Sequence, residues 1–303
     1  MNGSRGRIAA PLAVLLALAV VLAFVAFSFR EGPDLKNVVG ILVEKMNLLS
    51  AMRVNLLKSE EAEKSAVMAD TDEASRDFAD QSTRASDLVE RDRRELELLL
   101  KQDHTDKEMQ LSREFDTCWN EFREIDREIL GFAVQNTNFK AAALSFGKGY
   151  ESVERFARAV KSLIDSSVSS GRCSLIVKPA TDALAAALSV QAMHAPHIVE
   201  SDSSRMDDIE AEMRREGEIV EKSLGELADM VPEEERATLE EAKTAYAEFA
   251  SVTAEVLRLS RENTNIKSFA LSLGKKRKIA AHCDETLLSL QEAVRGREFR
   301  ATR

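Results

Sequence analysis

The residues with chemical reach are few. Met193-His194-Ala195-Pro196-His197 sets two imidazoles three positions apart, and Glu200 lies three further on. On a helix that spacing shares a face, and two imidazoles with a carboxylate are a donor set for a transition metal. Pro196 between them, with no partner ligand identifiable elsewhere, makes an ordinary polar helix end the plainer reading. Arg53 and Lys58 could meet an anionic ligand at a bundle or dimer surface, and Lys275-Lys276-Arg277-Lys278 could do the same, although a solvated helix face is the plainer reading of that run. Asn136 and Asn263 fall at seam positions at helix ends, where an amide can cap, fix register or face a ligand. No Gly-rich phosphate loop, G-x-S-x-G elbow or H-E-x-x-H occurs. On these grounds the sequence predicts neither an enzyme nor a cofactor.

The elements that position these residues are organised around a repeat. Asn136 to Lys148 reads NTNFKAAALSFGK, and Asn263 to Lys275 reads NTNIKSFALSLGK, an offset of 127 positions. The same offset places Trp119 on Tyr246, Phe122 on Phe249, Ile129 on Val256 and Leu130 on Leu257. The chain beyond its N-terminal segment is therefore read as two copies of one unit.

Composition narrows the class. The 303 residues are 31% charged and 44% hydrophobic, with 12 Gly and 5 Pro, too few breakers for a sheet protein of this length. Aromatics are 5%, so Leu, Ala, Val, Ile and Met must build the core, as in helix bundles. A net charge of −10 with acidic residues spread along the helices argues against nucleic acid, which requires a clustered basic face. Cys118, Cys173 and Cys283 form no C-x-x-C pair; a disulfide between any two is open, but the reading preferred is three small buried apolar residues.

From Ile8 to Phe29 the chain carries no charge, and its 22 positions span about 33 Å as a helix. The length and the bulky end Phe24-Val25-Ala26-Phe27-Ser28-Phe29 predict an uncleaved membrane anchor, with residues 1–7 as a cytoplasmic stub. Beyond it, apolar spacing predicts a helix from Asp34, a turn at Asp70-Thr71-Asp72, and a second helix from Glu73 to Lys101 with Phe78, Leu88, Leu96 and Leu99 inside. A third follows on the seam Phe115, Cys118, Phe122, Ile125, Ile129 and Phe132. The fourth is expected to bury Phe139, Ala143, Phe146, Tyr150, Val153, Ala157, Val160 and Ile164, capped by Thr137 or Asn138, although the heptad phase also fits one unbroken helix through Asn136–Asn138. Ser-rich Asp165 to Gly171 marks a module boundary. The second copy is expected to open at Pro179, to turn at Ser201–Ser204 and at Val231-Pro232, and to end on a helix carrying Ile266, Ala270, Leu273, Ala280, Leu287 and Val294. The predicted fold is all-α: a transmembrane helix at 8–29, tandem up-down four-helix bundles at 34–168 and 172–295, and a charged tail at 296–303.

An apolar N-terminal helix, the stretch AEKSAVMADTDEASRDF at 62–78, a seam helix carrying Trp119 and the Ala-rich NTNFKAAALSFGK resemble, in that order, the four-helix-bundle sensor domain of methyl-accepting chemotaxis proteins and related sensor kinases. The resemblance covers residues 8–168, and in the second copy the third and fourth helices. It implies a single-pass protein of the inner membrane with its bundles in the periplasm or exterior. Such a protein would bind a small ligand, with a homodimer or a receptor as partner. The chain lacks a second apolar run and any output segment, so an envelope scaffold stands as the alternative.

Overall fold

The computed structural model describes residues 32–169 and 173–301. The expected anchor at 8–29 and the stub at 1–7 lie outside the described residues. Within them the chain is all helix: α1 (Gly32–Met68), α2 (Asp72–Gln102), α3 (Asp106–Ala133), α4 (Thr137–Leu144), α5 (Tyr150–Ser169), α6 (Cys173–Val199), α7 (Ser203–Met230), α8 (Arg236–Glu262), α9 (Thr264–Leu271) and α10 (Arg277–Ala301). A π-helical turn, Ser145–Gly149, joins α4 to α5 into one rod, and another, Ser272–Lys276, joins α9 to α10.

The turns have local causes. Thr71 Oγ1 accepts the N–H of Ala74 at the start of α2, and Asp202 accepts those of Ser204 and Arg205 at the start of α7, each satisfying orphan donors of a first turn. Val231 and Pro232 are extended before a 3₁₀ turn at Glu233–Glu235. Pro179 does not open a helix as expected: α6 begins at Cys173, and both Pro179 and Pro196 lie inside it. The expected boundary near 165–171 is helical as far as Ser169, and the tail beyond Arg295 continues α10 to Ala301.

Two compact units emerge, each gathered from separate stretches. One takes the described residues of Met1–Glu61, Ser82–Arg123 and Lys278–Arg303; the other takes Ala62–Gln81 and Glu124–Arg277. The first unit stacks Phe115, Trp119 and Phe122 at centroid spacings of 6.0 and 5.2 Å. The Trp119 indole N–H donates to Glu90, whose carboxyl Arg93 above all pulls down to about 2. Small residues line the inner side of α2 in this unit: Ser82 and Ser86 meet Ser59 of α1 at 3.0 and 2.9 Å, whereas the expected inner residue Leu88 is 38% exposed. Cys118 and Cys283 form a disulfide, 165 residues apart, replacing the reading of three reduced apolar cysteines.

The second unit is organised by the repeated Asn-Thr-Asn. Asn136 and Asn263 adopt left-handed backbone, φ 51° and 54°, which ends α3 and α8 and excludes one unbroken helix through 136–138. Neither α4 nor α9 is capped by its own side chains. Thr137 N–H donates to Thr264 Oγ1 and Thr264 N–H to Thr137 Oγ1, each at 3.2 Å. Asn138 N–H donates to Asn265 Oδ1 at 3.1 Å and Asn265 N–H to Asn138 Oδ1 at 3.2 Å. Each copy thus caps the other's helix.

Phase shifts at the π turns. Phe139, Ala143, Phe146 and Tyr150, expected inside, are exposed, with Phe146 at 67%. The buried positions ahead of the turn are Asn138, Ala141 and Ser145, and beyond it Val153, Phe156 and Val160. A π turn inserts one residue into the helical period, so a seam extrapolated backwards from Val153 misses by about one position. The second copy repeats the effect, with Ala270 and Leu273 outside and Ser268 and Ser272 inside.

Two stability predictions follow from these links. Thr137→Val or Thr264→Val leaves a buried N–H of the other copy without its acceptor and should cost about 1–3 kcal/mol. The double variant should be non-additive by at least about 0.5 kcal/mol in urea unfolding, and simple additivity would refute reciprocal capping. Replacing both Cys118 and Cys283 by Ala should cost about 2–5 kcal/mol, and an unchanged unfolding midpoint would show that the bridge contributes nothing.

Candidate functional site

The second unit contains a groove of about 1020 Å³ between the α4–α5 rod and α8. Val134, Ala143, Leu144 and Leu259 give it apolar walls, and Glu151, Glu255, Arg258 and Lys148 give it charge. A smaller recess of about 330 Å³ continues it along the same two elements, sharing Lys148 and Glu151. Glu255 is hydrogen-bonded to Arg258 at 2.8 Å through both guanidinium contacts, and that bond holds its carboxyl below the usual carboxylate range. Arg258 also holds Glu262. Glu151, on the α5 side, shares no ion pair with Arg258.

The second unit also holds two buried polar layers. Lys276 of the second π turn meets Glu63 of α1 at 3.2 Å and Asp126 of α3, all three sealed from solvent. Burial pushes the Glu63 carboxyl up, and the Lys276 ammonium opposes that rise. The cluster resembles an acid–base site in its residues, yet it has no opening to receive a substrate, so it acts as a buried ion pair.

The other layer holds the sequence-predicted histidines. His194 Nδ1 meets Ser145 Oγ at 3.0 Å and its Nε2 meets Thr253 Oγ1 at 3.1 Å. His197 Nδ1 meets Ser260 Oγ, and its Nε2 meets Glu210 at 3.0 Å. Burial pushes His194 down to about 4. Burial also lowers His197, against the opposing pull of Glu210. Glu200 does not join them, because its carboxylate accepts the N–H groups of Ser201 and Asp202. With all four ring nitrogens engaged by protein groups, the expected His194–His197–Glu200 metal set is not assembled. Among the described residues no cluster of three His, Cys, Asp or Glu side chains is placed to hold a metal ion.

The remaining predicted ligand residues are dispersed. Arg53 is bound to Asp284 at 2.8 and 3.2 Å, Lys58 is exposed, and Asn136 and Asn263 belong to the interhelical capping network. Sequence reasoning missed the groove residues Glu151, Glu255 and Arg258, which lie on solvent-facing helix positions with no motif to mark them.

Residues 73–259, well over half of the chain, match glycosyl hydrolase family 57. The chain belongs to that family. No curated protein and no solved structure matches it. Family membership overturns the chemoreceptor-sensor reading and the expectation that the chain is not an enzyme, and it removes the basis for a receptor partner and for placement in the inner membrane. Among the described residues no helix is long and apolar enough to cross a membrane.

The buried ion layer gives the prediction of this section. Lys276→Met leaves Glu63 and Asp126 buried without their cation and should cost about 3–5 kcal/mol in denaturant unfolding. A cost under about 1 kcal/mol would mean that water already reaches the layer.

Proposed function

We propose that the chain hydrolyses glycosidic bonds and that the groove between the α4–α5 rod and α8 is where a saccharide binds. The observation that carries the reading is the family match over residues 73–259, a span that includes Glu151, Glu255 and Arg258. Glycoside hydrolysis uses two carboxyl groups flanking the scissile bond, one donating a proton to the leaving oxygen and the other acting as base or nucleophile. Glu255, kept ionised by Arg258, suits the second role. Glu151, which lines the same groove from α5, is assigned the first by its place across from Glu255. Arg258 would act as a positioning residue that keeps the Glu255 carboxylate oriented.

We also propose that segments 34–168 and 172–295 are tandem copies of one up-down four-helix unit. The 127-residue offset of the capping bonds and the matching π turns support this.

A panel of aryl glycosides and oligosaccharides tests the hydrolase reading. The unaltered chain should release sugar from at least one class, and Glu151→Gln and Glu255→Gln should each lower kcat by about 10²–10⁴-fold with the fold intact by circular dichroism. Activity unchanged in both variants would exclude this groove, and no turnover across the panel would remove the hydrolase reading itself.

A further inference from the structure

The two buried layers are counterparts. The repeat offset maps Ser145 onto Ser272, Gly149 onto Lys276 and Asp126 onto Thr253. His194 and Glu63 occupy matching places near the ends of α6 and α1, each five residues before its helix stops. One layer therefore sets two carboxylates against an ammonium, with residues drawn from both copies. The other carries an imidazole, a hydroxyl and a glycine, with no counter-ion built in. The Cβ position of Gly149 is already crowded by Leu144 O, Gln191 Oε1 and Val252, so nothing larger fits without displacement.

His194 links the two walls of the groove. Its ring joins Ser145, in the π turn whose neighbours Leu144 and Lys148 line the groove, to Thr253 on α8, two residues before Glu255. The Phe249 ring of α8 stacks over it at 5.8 Å. The charged and titratable groups facing this layer are His197 on α6, Glu210 on α7 and Arg261 on α8; the α4–α5 rod contributes only the Ser145 hydroxyl among the described contacts. Glu210 is already shared by Arg261 at 2.6 Å and His197 at 3.0 Å. A proton on His194 thus meets no free carboxylate and a neighbouring imidazole that repels it.

We propose that the Ser145–His194–Thr253 layer is an acid-sensitive joint, which holds the π turn against α8 while His194 is neutral and releases it when His194 is protonated. This rests on the joint's geometry and not on what the groove binds or hydrolyses. An unfolded histidine takes up its proton near pH 6.5, whereas folded His194 resists until about 4. The folded joint therefore binds fewer protons than the open one. Its contribution is complete above about pH 6.5 and is lost as pH falls towards 4.

Hydrogen exchange of the full chain tests this. Peptides covering residues 141–153 and 249–257 would be compared at pH 7 and pH 5, after correction for intrinsic exchange and relative to residues 277–290. Protection in both segments should fall by about tenfold or more in the unaltered chain. In His194→Gln, whose amide can still donate and accept, it should be insensitive to this pH change. Thr253→Asp copies the carboxylate of the other layer and should reverse the sign, so that acid preserves the joint. An equal acid loss in His194→Gln, or no loss in the unaltered chain, would overturn the proposal. Should Thr253→Asp fail to fold, the His194→Gln comparison decides alone.

Discussion

The reciprocal capping of α4 and α9 is the constraint on which the second unit depends. An α-helix begins with N–H groups that have no intrahelical acceptor, and burying them unpaired is costly. Here both starts are buried, and each supplies the other's acceptors through Thr137, Thr264, Asn138 and Asn265. Neither helix can move without exposing donors of both. Asn136 and Asn263 must then take left-handed backbone to deliver the chain from α3 and α8 into that junction, a conformation Asn tolerates better than most residues. Their side chains extend the network to Ser75 and to the carbonyl of Glu200, tying α2 and α6 to the same point.

Everything one or two turns beyond the junction inherits its approximate symmetry. The paired π turns rotate the rods so that Ser145 and Ser272 face inward, and a polar layer forms below each. The two layers then diverge in charge. The layer around Lys276 pairs its ions, while the layer around His194 stays neutral by hydrogen-bonding both ring nitrogens to hydroxyls. The same displacement turns Phe146 outward, and it presents Lys148 and Glu151 to the groove.

Membership of glycosyl hydrolase family 57 directs attention to carboxyl pairs, and the fold separates those it contains by accessibility. Glu63 and Asp126 lie close to one ammonium but are sealed. Glu151 and Glu255 line an open groove that solvent reaches. Burial therefore selects between two clusters that residue type alone would not distinguish.

The sequence by itself determined what depends on local and periodic signals. The helical class, the repeat, the seam of α3, and the breaks at Asp70–Asp72, Ser201–Ser204 and Val231-Pro232 follow from side-chain spacing and from residues that compete with helix bonds, whereas the left-handed turn at Asn136 was decided against an unbroken helix only by the structure. What required contacts between distant residues was decided only by tertiary structure. Thr137 is capped from 127 positions away, Cys118 finds Cys283 at a separation of 165, and His194 takes Ser145 and Thr253 as partners in place of a metal. Phe139, Phe146 and Tyr150 appeared to be core because a period of 3.6 was carried through a π turn that no local residue announces. Glu151 and Glu255 were silent for a different reason. A carboxylate on an exposed helix face is ordinary, and only the packing of α8 against the α4–α5 rod brings these two to one groove.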